Sequence, residues 1–461
     1  MEEMTKKKTT RWELFQFGFG GFAININNNA LIAPFLLYFL TDIAKIPAAM
    51  AGSIYLAGKL CQMPFYPIFG TVFDRTKSRW GRYRPYLFFA TPIAAIFNVL
   101  LFTVPELTTA HKGIYYGGIY VLCCILNNPM VGLSCQSLIP VLSADRSTRN
   151  FAAMSKQLLG TVAQAGGQAA LMPLVIWFGE QTIGWQRTAM AYEIIFILGM
   201  WICANGAKRH DIVPEAVIKR KPPTLKEQLE VLTVNKPLLF LVLAFFFMVI
   251  ESSLSWSASI YLYKYIVKEP SLIVKIPATQ LIFSIAVGLS LPYLFKSYIS
   301  KRTFFMLGTA LAVVYPVVLL VFRPFDNIPL LLGLGVFTQV ILAALAITGW
   351  STLPDCIDYA EWKTGKRSDA LVTSCFSLGT NIGLSFGGFL LGVVLSAVGY
   401  VGGTTPTPES LEGIFKFLTI SPIVFTALIL LCMKLFPITD SYYNKMILEL
   451  NKIRQAKENA Q

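Results

Sequence analysis

The chain has 461 residues, 55% hydrophobic and only 14% charged, against roughly a quarter charged in soluble domains; with a mean hydropathy of +0.58 this excludes a soluble enzyme or binding module. A formal net charge of +14 does not call for a nucleic-acid partner, because the basic residues collect in every second connection between apolar runs, where membrane topology puts them. Eight cysteines show no metal-ligand spacing, and the two histidines, His111 and His210, both fall in loops.

Apolar runs of about 20 residues, the length that crosses a hydrocarbon core of roughly 30 Å, recur at 15–38, 49–73, 86–104, 113–139, 158–178, 188–204, 238–263, 278–295, 303–322, 329–353, 370–398 and 413–435. The expected fold is an all-α integral membrane protein, twelve transmembrane helices in two six-helix bundles. Residues 1–204 form the first bundle, 205–236 a cytoplasmic connection, 237–436 the second bundle and 437–461 a cytoplasmic tail. "MEEMTKKKTTRWELF" leads straight into a full-length run, so no cleaved signal is expected. With both termini in the cytoplasm of a cell membrane, thirty of the 39 Lys and Arg fall on that side.

The first run, "GFAININNNALIAPFLLYFLTD", holds four asparagines, and amides are costly in lipid unless something hydrogen-bonds them. At 100° per residue Asn25, Asn28 and Asn29 share a face, with Asn27 to the side. Two readings stand open: a lining for a neutral hydroxylated ligand, or interhelical glue. In the second run Lys59 is the one cation at depth, and Gln62 and Tyr66 lie one turn apart. The connection "DRTKSRWGRYRP" then supplies Asp74, Arg75, Arg79 and Arg82. These are expected to complement a helix C-terminus and to pair with Asp145, Asp355 and Asp358 as a cytoplasmic gate, the alternative being topological anchoring alone.

Gln136 closes the fourth run, and Lys156, Gln157 and Gln164 line the fifth. The segment "TLKEQLEVL" in the long connection has an apolar face suited to the membrane surface. Glu251 sits in the middle of the seventh run, where a charge costs of order 2.5 to 3.5 kcal/mol. A proton carrier, a substrate hydrogen bond and a structural pair with Lys59 remain open for it. Trp350 ends the tenth run, and Thr373, Ser377, Thr380 and Asn381 share a face of the eleventh. Tyr66, Trp256 and Trp350 are aromatics able to stack on a sugar ring or a flatter ligand. The halves echo each other: "SLIP" at 137–140 and "STLP" at 351–354 each precede a polar loop and a run containing "LGT". Twelve runs in two related halves describe a transporter with its ligand near the midplane.

Residues 41–87, with Asp-Arg-Thr, Arg-Trp-Gly-Arg and Arg-Pro in register, and "DCIDYAEWKTGKRSDAL" at 355–371 resemble the glycoside-pentoside-hexuronide:cation symporters, the melibiose permease relatives within the major facilitator superfamily. The resemblance implies the major facilitator fold and alternating-access transport of a small organic solute, most simply a sugar or glycoside. It also implies a cation site of acidic residues, and here its positions hold Gln62, Tyr66, Asn25 and Gly132. Asn381 stands where the family's lysine falls, and Gln136 where it has tryptophan. A site without formal charge is a weak cation cage, so coupling is expected to be absent or proton-based through Glu251. An amphipathic solute such as a steroid or lipid, or a sensor that does not transport, are the alternatives. No catalytic signature, metal set or cofactor motif is present. The expected partners are a small-molecule substrate and the lipid bilayer, with the chain acting as a monomer.

Overall fold

The computed structural model describes residues 10–76, 78–142, 146–179, 181–211, 234–280, 282–283, 286, 300–365, 369–401 and 406–459. Among them the regular structure is all helical, as it must be where a backbone in lipid has to satisfy its own N–H and C=O groups. Helix α1, Arg11–Ile43, starts at a capping box: the Thr10 hydroxyl accepts from the Glu13 N–H at 3.2 Å, and the Glu13 carboxylate accepts from the Thr10 N–H at 2.9 Å. It loosens into π-helical turns at Ile26–Ile32, over the asparagines, and at Phe39–Ile43. Such turns recur at functional sites because they displace side chains from the regular spacing.

The expected second run is broken. Helix α2, Ala48–Cys61, and helix α3, Phe65–Arg75, are separated by turns at Gln62 to Pro64, because Pro64 has no N–H to continue the ladder. Helix α4, Tyr86–Leu101, is a shorter apolar helix. Helix α5, Thr109–Ser137, takes a π turn at Leu126–Gly132 around Pro129. Helix α6 is Arg146–Trp177 and helix α7 Gln181–Gly206. Helix α8, Lys236–Ile266, is followed by α9, Lys301–Phe322, α10, Ile328–Thr364, α11, Asp369–Ala397, α12, Pro408–Leu435, and α13, Asp440–Asn459. Nine helices among the described residues are long and apolar enough to cross a membrane. Most of the expected eighth run, and all of "TLKEQLEVL", lie outside the described residues.

The chain divides into two units. Unit 1 comprises Met1–Arg220, Trp256–Leu281 and Gly388–Glu412, and unit 2 comprises Lys221–Ser255, Ile282–Gly387 and Gly413–Gln461. Within unit 1, α1 is enclosed by α6 and α7 at backbone contact. A Cβ on Gly21 would stand 2.0 Å from the Lys156 carbonyl oxygen, and one on Gly199 would stand 2.9 Å from Ala23 Cβ. Small residues admit this closeness, and dispersion then holds the helices. Within unit 2 the core is Phe245, Phe305, Leu345, Leu353, Phe376 and their neighbours, with Phe245 packed 4.8 Å from Phe376 ring to ring.

Candidate functional site

The asparagines of α1 are hydrogen-bonded in two directions. Along the helix, Asn29 Nδ2 donates to Asn25 Oδ1 at 2.6 Å, and Asn25 Nδ2 donates to the Gly21 carbonyl at 2.8 Å. Across helices, Asn28 Nδ2 reaches Asn128 Oδ1 at 3.5 Å, and Asn128 Nδ2 donates to Gln62 Oε1 at 2.9 Å. The π turns of α1 and α5 and the break after α2 therefore meet through a chain of uncharged amides. Asn28 and Asn128 are half-buried, Gln62 is fully buried, and Gln62 Nε2 has no partner among the described residues. Gln168 of α6 donates to the Asn29 carbonyl at 2.8 Å, meeting an acceptor at the π turn.

Neither Asn128 nor Gln168 is among the residues expected from the sequence, although "NNP" in the fourth run repeats the paired asparagines of the first. Tyr66 lies beyond the break, half-buried on α3. Lys156 and Gln164 are half-buried, while Gln136 and Gln157 are exposed. In unit 2, Asn381 Nδ2 and Thr380 Oγ1 both donate to the Ser377 carbonyl at 2.8 Å, so these polar groups turn back onto α11. Thr373 is half-buried, and Trp350 is half exposed with its ring edge-on to Phe376 at 4.9 Å. Glu251, 9% exposed, accepts from Ser255 Oγ at 2.9 Å and has no ion pair among the described residues.

A second cluster lies at the other end of α1, in unit 1. Tyr265 and Tyr400 hydroxyls donate to Asp42 Oδ1 at 2.8 and 2.7 Å, and the Thr41 hydroxyl lies 2.7 Å from Asp42 Oδ2. Lys264 donates to the Tyr38 hydroxyl at 2.6 Å and sits over the Tyr38 and Tyr265 rings. Burial, reinforced by the Asp42 charge, holds the Tyr400 hydroxyl far above the usual tyrosine range, so it remains a donor. Two tyrosines on one carboxylate tie the end of α1 to the end of α8 and the residue beyond α11. Beside them α2 and α11 touch backbone to backbone, since a Cβ on Gly392 would stand 2.7 Å from Gly52 Cα. Nothing in the spacing around Asp42 sets it apart in the sequence.

That basic connection closes on a different acid. Backbone N–H groups of Tyr83 and Arg84 donate to Asp211 Oδ2 at 2.9 and 3.0 Å, and Gly81, at φ +106, leaves room for the carboxylate that a Cβ would meet at 2.3 Å. Arg84 Nε donates to the Ala204 carbonyl at 2.7 Å. Burial lowers the Arg84 guanidinium from its ordinary value while Asp211 opposes the shift. Arg82 Nε donates to the Phe73 carbonyl at 2.9 Å, and Arg75 and Arg79 are exposed. Asp74 is described by its backbone alone, and Asp145 lies outside the described residues. In unit 2, Asp355 pairs with Lys301 at 3.0 Å and Asp358 accepts from the Tyr443 hydroxyl at 3.1 Å.

The family described as MFS/sugar transport protein matches residues 16–440. The chain is 29% identical to the isoprimeverose transporter of Lactiplantibacillus pentosus over 98% of this chain and 94% of that protein. It is 25% identical to a putative sulfoquinovose importer of Escherichia coli (strain K12), over 92% and 90% of the two chains. Among solved structures, the nucleoside transporter NupG superposes with a TM-score of 0.61 at 12% identity, covering 92% of this chain and 100% of that one. A bacterial homologue of the human lysosomal transporter Spinster, inward-facing and unoccupied, gives 0.63 at 11%, covering 96% and 98%. The resemblance read from residues 41–87 and 355–371 holds over nearly the whole length. The chain belongs to the MFS/sugar transport protein family and is a multi-pass membrane transporter for a small-molecule substrate.

Proposed function

We propose that this chain carries an uncharged polyhydroxylated solute, a sugar or glycoside, across the cell membrane by alternating access, as a monomer with both termini in the cytoplasm and six-helix halves at 1–204 and 237–436. The observation that carries this reading is the amide chain from Asn28 through Asn128 to Gln62. Gln62, at its end, is one of the positions where the family resemblance implies a carboxylate, and amides offer both donors and acceptors to hydroxyl groups without favouring a cation. Isoprimeverose is a probe of the right chemistry, since a relative is named for it. Glu251, buried and hydrogen-bonded to Ser255 among the described residues, is the candidate coupling carboxyl.

The test is uptake of labelled isoprimeverose and a panel of glycosides by proteoliposomes, with proton and sodium gradients imposed or collapsed. Saturable uptake competed by other glycosides is expected. Binding without uptake would make the protein a sensor, and competition by steroids or lipids alone would replace the sugar. With Glu251→Gln, accumulation against the gradient should fall by at least tenfold while exchange persists. Accumulation equal to the parent protein removes Glu251 from coupling.

A further inference from the structure

Another carboxyl lies buried in unit 1. Glu193 of α7 is 2% exposed. Its Oε2 accepts from Asn98 Nδ2 at 3.1 Å, and its Oε1 has no partner among the described residues. Asn98 of α4 and Asn127 of the α5 π turn exchange two hydrogen bonds, at 3.2 and 2.9 Å, and both are buried. The same π turn that sends Asn128 to Gln62 thus sends Asn127 to Asn98 and, through it, to Glu193.

On α1 the facing level is the other π turn. Gly199 of α7 faces Ala23, and a Cβ on Gly167 of α6 would meet Ile26, Ala30 and Tyr192 within 3.5 Å, which brings the Glu193 turn alongside Ile26–Ile32. There Asn27 is fully buried with neither amide atom partnered among the described residues.

No cation balances Glu193 among the described residues. It has no ion pair there, and Thr91–Leu101, Leu126–Gly132 and Ile26–Ile32 hold no Lys, Arg or His. Lys156 of α6 packs at Gly21, on the Gly199 side of this level. Tyr192 gives its hydroxyl to the Gly167 carbonyl. Among the described residues the Cys123 thiol of α5 is the titratable side chain in electrostatic reach. An ionised carboxylate left alone at this burial is costly by several kcal/mol. A metal ion would need several converging oxygens, yet the Asn98 and Asn127 amide oxygens are already occupied by each other.

We infer that Glu193 is a proton-binding site: the carboxyl holds one exchangeable proton on Oε1 while Asn98 secures Oε2, and releases it to water as H3O+ when the π turns of α1 and α5 rearrange. This rests on the transport reading and deepens it, giving the amide network a second, proton-sensitive end. It predicts dependence of the network on pH through a carboxyl outside the positions where the family resemblance implies a cation site.

The experiment is pH-difference infrared spectroscopy of the purified protein in lipid, which reads the carboxylic C=O stretch without any solute. Glu193→Gln should remove one titrating band that Glu251→Gln leaves in place. Asn98→Ala, which keeps the carboxyl but deletes its donor, should move that band's midpoint to higher pH, because the lost hydrogen bond favoured the charged form. A band unchanged in Glu193→Gln and Asn98→Ala overturns the inference. So does a band abolished by added sodium at fixed pH, which would mark a metal-cation site. Failure here leaves glycoside uptake untouched, and failure of uptake leaves the titration readable.

Discussion

Replacing Asp42 with Ala will lower solute exchange by proteoliposomes at least tenfold and open the end of α1 to water. Asp42 gathers the Tyr265 and Tyr400 hydroxyls, and hydrogen bonds to a charged group contribute roughly 1.5 to 3 kcal/mol each. Losing two such bonds shifts a closed–open equilibrium by about 3 kcal/mol or more, on the order of a hundredfold. A carrier that cannot close one end cannot alternate. Ser257, 1% exposed and bonded to the Ala33 carbonyl at 3.2 Å, reports the opening. A cysteine there should react with a membrane-impermeant maleimide about tenfold faster in the Asp42→Ala protein. Asp42→Asn keeps the acceptor oxygen and should fall between the two. Unchanged labelling together with unchanged exchange would show that the tyrosine cluster is packing and not a latch.

Gly21→Val will prevent recovery of folded protein. The added Cβ would lie 2.0 Å from the Lys156 carbonyl oxygen and 2.8 Å from its carbonyl carbon, and no rotamer change relieves a clash with backbone. Overpacking by side-chain contact alone costs typically about 1 to 3 kcal/mol, and here α1 and α6 must separate along a contact that also buries Asn25 against Gly160. Gly166, on the same α6, has nothing within 4 Å of a built Cβ. Gly166→Ala should therefore be neutral or slightly stabilising. Fluorescence-detected size-exclusion after a heating series compares them. A melting temperature of Gly21→Val within a few degrees of the parent would mean that the helices are not held at this distance.

The helices were legible because a span is announced by length and apolarity, and the family motifs at 41–87 and 355–371 because their charges stand in fixed register. Asn25, Asn28, Asn29 and Gln62 were legible for a simpler reason, since an amide in lipid demands an explanation. Their partners were not. The face argument assumed 100° per residue, and π turns at Ile26–Ile32 and Leu126–Gly132 depart from that spacing; Asn127 and Asn128 serve two different neighbours. Glu193 was visible as an acid within the run "TAMAYEIIFILGM", yet no spacing rule ties it to Asn98 on α4. Asp42 and Asp211 escaped notice because each sits at a helix end, where an acid is ordinary until tyrosines or backbone N–H groups from distant segments converge on it. Asp355 and Asp358, expected from their sign to face the basic connection, lie in unit 2, where Lys301 and Tyr443 are among their partners.

The amide chain is either a binding surface or interhelical glue, and the half-saturation concentration of isoprimeverose exchange in Asn128→Leu, measured beside its melting temperature, separates the two. Asn128 joins Asn28 to Gln62, so a binding surface loses hydrogen bonds to solute worth about 1 to 2 kcal/mol, a rise in half-saturation of roughly tenfold, while the melting temperature holds. An unaltered half-saturation with a melting temperature lowered by several degrees would contradict the account.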